Sequence, residues 1–458
     1  MIGYFGLARE TFDIALAKKK FLQAKKLLSS LDPNIKGIDE LVINEESSKK
    51  ALNFFKKNKC DKIVIFQTTF TDAKFILNFA NVISKPICIL AFPEPRTGGR
   101  LRLNSLCGLN LGMHSLIKNK IVPNFIIINK NKIFYTKKLN NFIKSKYFNN
   151  KIENWKKLSL GKNKKPLKEI HNQKIGIIGT RPDGFDTCDY NSREIKEKLN
   201  FNIKKISLNN LFTESKKVNK NNIKKTKFLI TKDLKGTKDL NQKELEKSIS
   251  IYHGLENIRK KHDLNAFAVR CWPEMFTEYG CASCGPMAMM NEKKISCACE
   301  ADVLGSISCN ILNQLNGKPS LLVDIVDLDD KDNSVVFWHC GLAPISMSKK
   351  GEARVGIHSN RQKPLLHDFR LKPGKITIFR VSKSANKLKF FLIKGEIQNR
   401  KNSFSGTSGV VSLGNNTSQK IEKMFKGGLE HHVAFTYGNL YDEIIQLGKI
   451  MKIPTYTV

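Results

Sequence analysis

Short apolar runs that alternate with stretches of helical periodicity restrict the fold of this chain more than any other feature. The runs IGYFGLA (2–8), DKIVIFQTT (61–69) and KPICILAFPEP (85–95) have the length of strands, and helical patterns separate them. This β-α-β rhythm predicts a parallel, doubly wound sheet. We therefore predict an N-terminal α/β domain over residues 1–173, ending in a basic linker.

The same rhythm resumes near residue 174 and stops near residue 345. It includes the predicted strand KISCACE and a helix whose apolar face is closed by Gly317. We therefore predict a second α/β domain over 174–345. Short strand-like runs separated by Gly, Asn and Ser then predict a C-terminal antiparallel β domain over 346–458. The predicted class is α/β, with two doubly wound parallel-sheet domains followed by an antiparallel β domain.

An acidic residue lies inside one of the most apolar runs. Asp324 interrupts LLVDIVDL, a run typical of a fully buried strand, and a buried carboxylate is costly unless a cation or hydrogen bonds compensate it. Glu300 ends the preceding strand, KISCACE. Adjacent parallel strands joined by a helix would bring both carboxylates to the same sheet edge. A divalent cation would offset their repulsion there.

A histidine would complete an oxygen, oxygen, nitrogen ligand set, and the candidates are His339, His431 and His432. Neighbouring residues of a strand face opposite ways, so only one of His431 and His432 is expected to reach a metal. The alternative is that Asp324 accepts backbone or arginine hydrogen bonds and that Glu300 merely favours a helix N-terminus. The spacing alone leaves both interpretations open.

The chain carries a net charge of +38, a value that suggests nucleic-acid binding. Its lysine runs, however, fall mostly in polar connections and helix faces, and no zinc finger, aromatic RNA-binding signature or basic region with heptads is present. We therefore do not expect nucleic acid as a partner. Because no apolar run reaches the ~18 residues of a membrane span and the N-terminus lacks a signal-like apolar block, we expect a cytoplasmic protein without membrane association.

Four of the cysteines form a motif that has two structural interpretations. Cys281-x-x-Cys284 and Cys297-x-Cys299 are compatible with a zinc or iron–sulfur site. Alternatively, Cys297 and Cys299 alternate along a strand and pack on one side of it as small apolar residues. The sequence does not choose between these interpretations.

Four blocks in order, RCWPEMFTEYGCASC, ACEADVLGS, LLVDIVDLDD and VVFWHCGLAP, resemble the L-fucose/L-arabinose isomerase superfamily, most closely its L-fucose isomerase-related branch. The resemblance extends to LARETFD, to the stretch from IGTRPDGFDTC and to HHVAFTYG, and so spans almost the whole chain. That family has two α/β domains and a C-terminal β domain, in agreement with the pattern above.

The resemblance implies an aldose–ketose isomerase of carbohydrate metabolism that acts on a monosaccharide through a cis-enediol. It implies that Glu300, Asp324 and His432 hold Mn²⁺ or a similar divalent cation, with the two carboxylates also serving as the acid/base pair. His432 has the register of the family's ligand histidine, shortly before a Thr-x-Gly. Trp272 and His339 are candidate substrate-binding residues.

The resemblance also implies a homo-oligomer, trimeric or hexameric, with sites near subunit contacts. The N-terminal domain has a Gly-rich loop but no clear acid–histidine set of its own, so we expect this loop to complete a neighbour's cavity. Some members of the broad group act on sulfonated sugars. Arg96, Arg100 and Arg102 are candidates to bind such a group, although a basic surface loop is the simpler explanation. The alternative function is a non-catalytic binding protein on the same scaffold, with a basic surface that engages nucleic acid.

Overall fold

A computed structural model describes residues 1–129, 131–146, 151–159 and 170–458. Part of the predicted basic linker lies outside these residues. Three β-sheets organise the described chain. Across these ranges, no helix combines the length and the apolar character needed to span a membrane.

The N-terminal region forms a five-stranded parallel sheet with helices on both faces. In chain order, its elements are β1 (Ile2–Leu7), α1 (Ile14–Leu31), β2 (Ile35–Val42), α2 (Glu45–Lys57), β3 (Lys62–Gln67), α3 (Lys74–Ile83), β4 (Ile87–Ala91), α4 (Ser105–Lys118), β5 (Asn124–Ile127) and α5 (Lys132–Lys144). A short strand, β6 (Lys156–Lys157), follows them and joins the third sheet. Consecutive strand residues such as Tyr4 and Phe5 belong to separate apolar clusters on the two faces of the sheet. The strand order β2-β1-β3-β4-β5 reverses beside β1, the position where doubly wound sheets bind ligands.

The second region is a four-stranded parallel sheet of the order β10-β9-β7-β8. Its elements are β7 (Lys174–Ile178), α6 (Ser192–Leu199), β8 (Asn202–Ile206), α7 (Leu208–Lys216), α8 (Lys220–Asp233), α9 (Gln242–His262), β9 (Ala266–Val269), α10 (Cys284–Glu292), β10 (Cys297–Ala298) and α11 (Val303–Asn316). The carboxyl ends of β9 and β10 lie side by side, because these strands pair in parallel.

The third sheet is large and mainly antiparallel. Its remaining elements are β11 (Leu321–Asp329), β12 (Ser334–His339), β13 (Arg354–Gly356), β14 (Leu366–Arg370), β15 (Gly374–Ser382), β16 (Lys389–Ile397), β17 (Thr407–Ser412), α12 (Thr417–Lys426), β18 (His432–Tyr437), α13 (Tyr441–Ile450) and β19 (Thr455–Thr457). Two pairs, β14 with β17 and β16 with β19, are parallel, so the sheet is mixed. The predicted fold class of two parallel α/β sheets followed by antiparallel β structure is confirmed.

Six strands of the third sheet close into a barrel. They pair in the cyclic order β17, β12, β11, β18, β15 and β16, and β16 pairs again with β17. The side chains of Val323 and Ile325 join one apolar cluster, while Leu322, on the other side of the strand, joins a second cluster with α11. Both sides of β11 are therefore buried, which explains its continuous apolar sequence.

The expectation that Glu300 and Asp324 end adjacent parallel strands of one sheet is wrong. Strand β10, before Glu300, belongs to the second sheet, whereas β11, with Asp324, pairs antiparallel with β12 and β18 of the third sheet. The helix α11 between them crosses from one sheet to the other. The two acids meet because the sheets pack against each other, not because their strands are hydrogen-bonded.

Candidate active site

A cavity of about 100 Å³ lies where the three sheets meet. Its wall combines Arg9 from the loop after β1, Trp272 and Glu300 from the loops after β9 and β10, and Asp324 and His339 from β11 and β12. The first three positions follow the carboxyl ends of parallel strands, where α/β folds place ligands. Both acids predicted from the sequence thus share one wall.

Asp324 and His432 face each other across neighbouring strands. They are paired residues in the antiparallel ladder of β11 and β18, and Oδ1 of Asp324 lies 3.5 Å from Nε2 of His432. The thiol of Cys107, on α4, donates a hydrogen bond to the same oxygen at 3.6 Å. Burial raises the pKa of Asp324 to about 6, as expected for a carboxyl group with few donors around it.

Glu300 enters the cavity from the second sheet on a strained turn. Its φ is +58°, a left-handed conformation that non-glycine residues adopt mainly where the surroundings impose it, often at functional sites. Its carboxylate accepts hydrogen bonds from Nε1 of Trp272 at 3.0 Å and from Nε2 of His431 at 3.1 Å. Burial opposes its ionisation, but the hydrogen bonds from His431 and Trp272 hold the pKa of Glu300 below its ordinary value.

A buried ionic network orients His432. Its Nδ1 donates to Oδ2 of Asp302 at 2.9 Å, and Asp302 accepts two further hydrogen bonds from Arg380, at 2.6 and 3.0 Å. The side chain of Arg380 is fully buried. Although burial opposes ionisation, this guanidinium holds the pKa of Asp302 well below its usual range.

The network fixes the tautomer of His432. Because Asp302 is ionised, the proton of the ring lies on Nδ1, and Nε2 presents its lone pair to Glu300 and Asp324. Burial and the neighbouring His431 also hold the pKa of His432 below its usual value, so the ring is neutral at neutral pH. A neutral histidine oriented by a carboxylate is the usual form of a metal ligand.

His431 also reaches the acids, contrary to the expectation that only one of the two histidines would do so. The alternation rule fails because β18 begins at His432, so His431 lies in the preceding turn and not in the strand. The two ring centroids are 3.8 Å apart. Nε2 of His431 donates to Glu300, while its buried Nδ1 has no hydrogen-bond partner within the described chain. His431 is thus a donor to Glu300, whereas His432 offers a free lone pair.

The donor atoms at this point of the cavity fit a divalent cation. Nε2 of His432 lies 3.5 Å from Asp324 and 3.7 Å from the nearer oxygen of Glu300. Ligands of a six-coordinate ion with bonds of about 2.1 Å are roughly 3 Å apart, so each carboxylate lies slightly beyond this spacing from His432. Two groups with metal-binding geometry share His431; one also contains Cys188, Glu300 and His432, and the other also contains Cys107 and Asp324. A set of two carboxylates and an imidazole suits Mn²⁺ or a similar ion.

The other predicted site residues also line the cavity. Trp272 holds Glu300 through its indole nitrogen. His339 has its ring 6.0 Å from that of His432, and its Nδ1 accepts the backbone N–H of Cys340 at 2.8 Å. Nε2 of His339 therefore carries the ring proton and is available to donate to a substrate hydroxyl.

Arg96, Arg100 and Arg102 do not line the cavity. Arg96 pairs with Asp327, and Arg102 pairs with Asp13 at 2.8 Å from its Nε, so both are neutralised by carboxylates. These three arginines belong to a surface loop, as the simpler explanation predicts.

The predicted cysteine set does not form one site. Cys299 lies beside Cys271, with the sulfur atoms 2.7 Å apart, and Cys284 lies beside Cys340, at 3.2 Å. Neither Cys281 nor Cys297 takes part in these contacts. In the described ranges, none of these cysteines belongs to a group with metal-binding geometry.

Four residues of the candidate site were not predicted from the sequence: Arg9, Asp302, Arg361 and Arg380. Asp302 and Arg9 lie within the blocks ACEADVLGS and LARETFD, but nothing in their spacing shows that one orients a histidine and the other lines a cavity. Arg361 lies in a turn without periodicity, and Arg380 lies in a strand where a buried arginine is unexpected.

Comparison with known proteins places the chain in a family. Residues 3–145 match the N-terminal domain of fucose/sulfoquinovose isomerases. Sulfoquinovose isomerases of Priestia aryabhattai and of Priestia megaterium are each 30% identical over 458 residues, which cover 99% of this chain and 98% of theirs. The chain belongs to the fucose/sulfoquinovose isomerase family. The predicted resemblance is thereby confirmed along the full length.

The family membership defines the class of reaction. The chain is an aldose–ketose isomerase, and it is therefore an enzyme and not the non-catalytic binding protein considered as the alternative. The sulfoquinovose isomerase of Alkalicoccus urumqiensis is 26% identical over 99% of this chain and 98% of its own. A galactofuranose binding protein of known structure has a TM-score of 0.16 and 12% identity over 60% of this chain and 78% of its own, and this weak likeness supports no conclusion.

Proposed function

We propose that this protein interconverts a sulfonated aldose and its ketose, with sulfoquinovose as the foremost candidate, and that it uses Mn²⁺ or a similar divalent cation. The relatives that match over the full length are named for that sugar. The observation that carries the proposal in this chain is a pair of arginines in the cavity wall, Arg9 and Arg361.

The two arginines surround the indole of Trp272 and lack full neutralisation. Their guanidinium carbons lie 5.1 Å (Arg9) and 5.3 Å (Arg361) from its ring centroid. Arg9 makes an ion pair with Asp72 at 3.2 Å, whereas Arg361 has no carboxylate partner among the described residues. Burial and repulsion from Arg9 contribute to a lowered pKa of Arg361. Two like charges in one cavity wall favour an anionic ligand, and a sulfonate offers oxygen atoms that suit guanidinium donors.

The metal would be held by Glu300, Asp324 and His432. When bound, it would supply a Lewis acid that stabilises negative charge on O1 and O2 of the sugar. One of the two carboxylates removes the proton from C2, and the other manages the exchange with C1 or O1, so that a cis-enediol forms between them. Trp272 and His431 hold the Glu300 carboxylate in place through their hydrogen bonds, and His339 donates to a hydroxyl of the sugar. A trimeric or hexameric assembly remains a prediction from the resemblance.

A panel of sugars tests the proposed function. The purified protein is incubated with Mn²⁺ in D₂O with sulfoquinovose, its desulfonated counterpart quinovose, L-fucose and L-arabinose. We expect ketose formation and deuterium incorporation at C2 with sulfoquinovose at a rate at least tenfold above the neutral sugars. Turnover of a neutral sugar alone would retain the isomerase and refute the sulfonate assignment, and no exchange with any sugar would refute the reaction.

The orientation of His432 gives a prediction about metal affinity. Asp302→Asn removes the carboxylate that fixes the tautomer of His432, and we expect roughly 10–100-fold weaker Mn²⁺ binding by isothermal titration calorimetry, the usual effect of losing such a partner. His432→Ala should weaken binding further. His431→Ala is the matched control, because its Nε2 proton already points to Glu300, and it should lower turnover more than metal affinity. Equal losses of affinity in the two histidine variants would contradict this assignment.

A further inference from the structure

Four cysteine thiols line the cavity beside the candidate metal site. They form two close pairs, Cys271 with Cys299 and Cys284 with Cys340. Cysteines at such a density in a substrate cavity are not required for isomerisation, which uses carboxylates and a metal. All of them are free thiols in this structure.

The position of the first pair follows from the second sheet. Strands β9 and β10 run in parallel, with Phe267 opposite Cys297 and Ala268 opposite Ala298. Cys271 and Cys299 follow the carboxyl ends of these strands and meet there, with 2.7 Å between their sulfur atoms. The backbone therefore holds this pair together, and no rearrangement of a loop is needed for contact.

The arrangement suits a covalent bond between the sulfurs better than a metal. Four thiolates around zinc, each about 2.3 Å from the ion, would have their sulfurs nearly 4 Å apart. The contact of 2.7 Å between Cys271 and Cys299 is much shorter, and within the described residues no cysteine of the two pairs belongs to a group with metal-binding geometry. A disulfide, with sulfurs about 2.05 Å apart, needs only a small further approach.

We propose that Cys271 and Cys299 are a redox modification site, at which a peroxide forms a reversible disulfide that suppresses turnover. One thiolate attacks an oxygen of hydrogen peroxide, forming a sulfenic acid and releasing hydroxide. The second sulfur then attacks the sulfenic sulfur, the S–O bond breaks, and the hydroxide that leaves takes up a proton. Two thiols are oxidised and one peroxide is reduced to two molecules of water. A dithiol reverses the change by exchange.

The disulfide would act on catalysis through Glu300. Cys299 precedes Glu300 and Cys271 precedes Trp272, whose indole donates to the Glu300 carboxylate. The backbone N–H of Glu300 also donates to Sγ of Cys271 at 3.4 Å. Because Glu300 already has a left-handed backbone, a covalent link that draws its neighbour toward Cys271 changes the direction of its carboxylate.

Peptide mapping of the full-length protein tests the modification directly. The manganese-loaded protein is treated with hydrogen peroxide, its remaining thiols are blocked with N-ethylmaleimide, and it is digested with trypsin and Glu-C without reduction. Cleavage after Arg270 and Glu274 isolates Cys271 in the fragment CWPE, and cleavage after Lys294 and Glu300 gives ISCACE. We expect these two fragments linked, with fragmentation assigning the bond to Cys299 and not to Cys297. This readout does not depend on the sugar substrate.

Turnover completes the test, with each variant compared with its own untreated sample. We expect wild-type turnover to fall at least tenfold as the linked fragment accumulates and to return with dithiothreitol. Cys271→Ser and Cys299→Ser should resist peroxide, whereas Cys284→Ser, which removes the other pair, should be inactivated as the wild type is. The proposal is overturned if other cysteines react while CWPE stays unlinked, or if Cys271→Ser loses turnover as fast as the wild type.

Discussion

Asp324→Asn and Glu300→Gln should each lower turnover at least about a thousandfold and remove most Mn²⁺ binding. Each change keeps the shape of the side chain and removes the charge that a metal ligand and a proton carrier both require. Asp324 lies 3.5 Å from Nε2 of His432, and Glu300 lies 3.7 Å from it, so each loss leaves the remaining donors without one side of the site. Metal analysis after dialysis, together with turnover of the sugar that the panel identifies, measures both effects.

Asp327→Asn is the matched control for this prediction. Asp327 is a buried carboxylate on the same strand, but it pairs with Arg96 and does not line the cavity. Its replacement should cost stability and leave metal content and turnover close to those of the wild type. Full metal content in Asp324→Asn would show that the acid is buried for a reason other than a cation.

The pH dependence of stability without metal tests the Asp324→Asn substitution independently of turnover. The pKa of Asp324 rises from 3.8 to about 6 in the metal-free fold, so the folded state binds this proton more tightly than the unfolded state. The stability of the metal-free protein therefore falls as pH rises between these values, by up to roughly 3 kcal/mol. Asp324→Asn lacks this loss. At pH 8 without metal it should melt above the wild type, and the difference should disappear near pH 4.

Arg361→Gln should lower kcat/KM for a sulfonated sugar about 10–150-fold, the range expected when a hydrogen bond to a charged group, worth ~1.5–3 kcal/mol, is lost. Arg361 has no competing carboxylate among the described residues, so its charge is available to the ligand. Arg9→Gln should have a smaller effect, because Asp72 already shares the charge of Arg9. Arg361→Lys keeps the charge without the planar donor pair and should recover part of the loss.

Turnover of the neutral counterpart of the sugar distinguishes a loss of anion binding from general damage to the cavity. Turnover of quinovose, which lacks the sulfonate, should change less than threefold in Arg361→Gln. Arg100→Gln, in the loop that does not line the cavity, should leave both substrates unaffected. An equal loss for the charged and the neutral sugar would mean that Arg361 supports the cavity wall and does not bind the anion.

The sequence indicated which residues meet at the candidate site better than it indicated how they meet. An acid in an apolar strand is costly, so the position of Asp324 in its run is enough to indicate a compensating partner. The predicted way in which Glu300 comes close to Asp324 was wrong, because sequence patterns identify strands but not the sheet that each strand joins. The strand containing Asp324 has an apolar pattern equally suited to a parallel sheet and to a barrel covered on the outside.

The orientation of the two histidines could not be predicted from the sequence either. Periodicity indicated that His431 and His432 face opposite sides, and it failed because a strand boundary cannot be located to a single residue from its pattern. Asp302 lies only two positions after Glu300, but its partner Arg380 is distant in sequence. Long-range ion pairs of this kind depend on the packing of whole sheets and leave no local signal.

The closed barrel has a consequence for the precision of the proposed metal site. An open sheet can slip at its edge by one residue, which turns every side chain to the other face. A cyclic ladder has no such edge, because sliding one strand breaks the pairing on both of its sides around the whole circuit. The pairing of Asp324 with His432 therefore has the geometric constancy of a backbone feature, even though both ligands are side chains. Two of the three proposed ligands are preorganised by the barrel, whereas Glu300 reaches the site from another sheet and is positioned by the hydrogen bonds from Trp272 and His431.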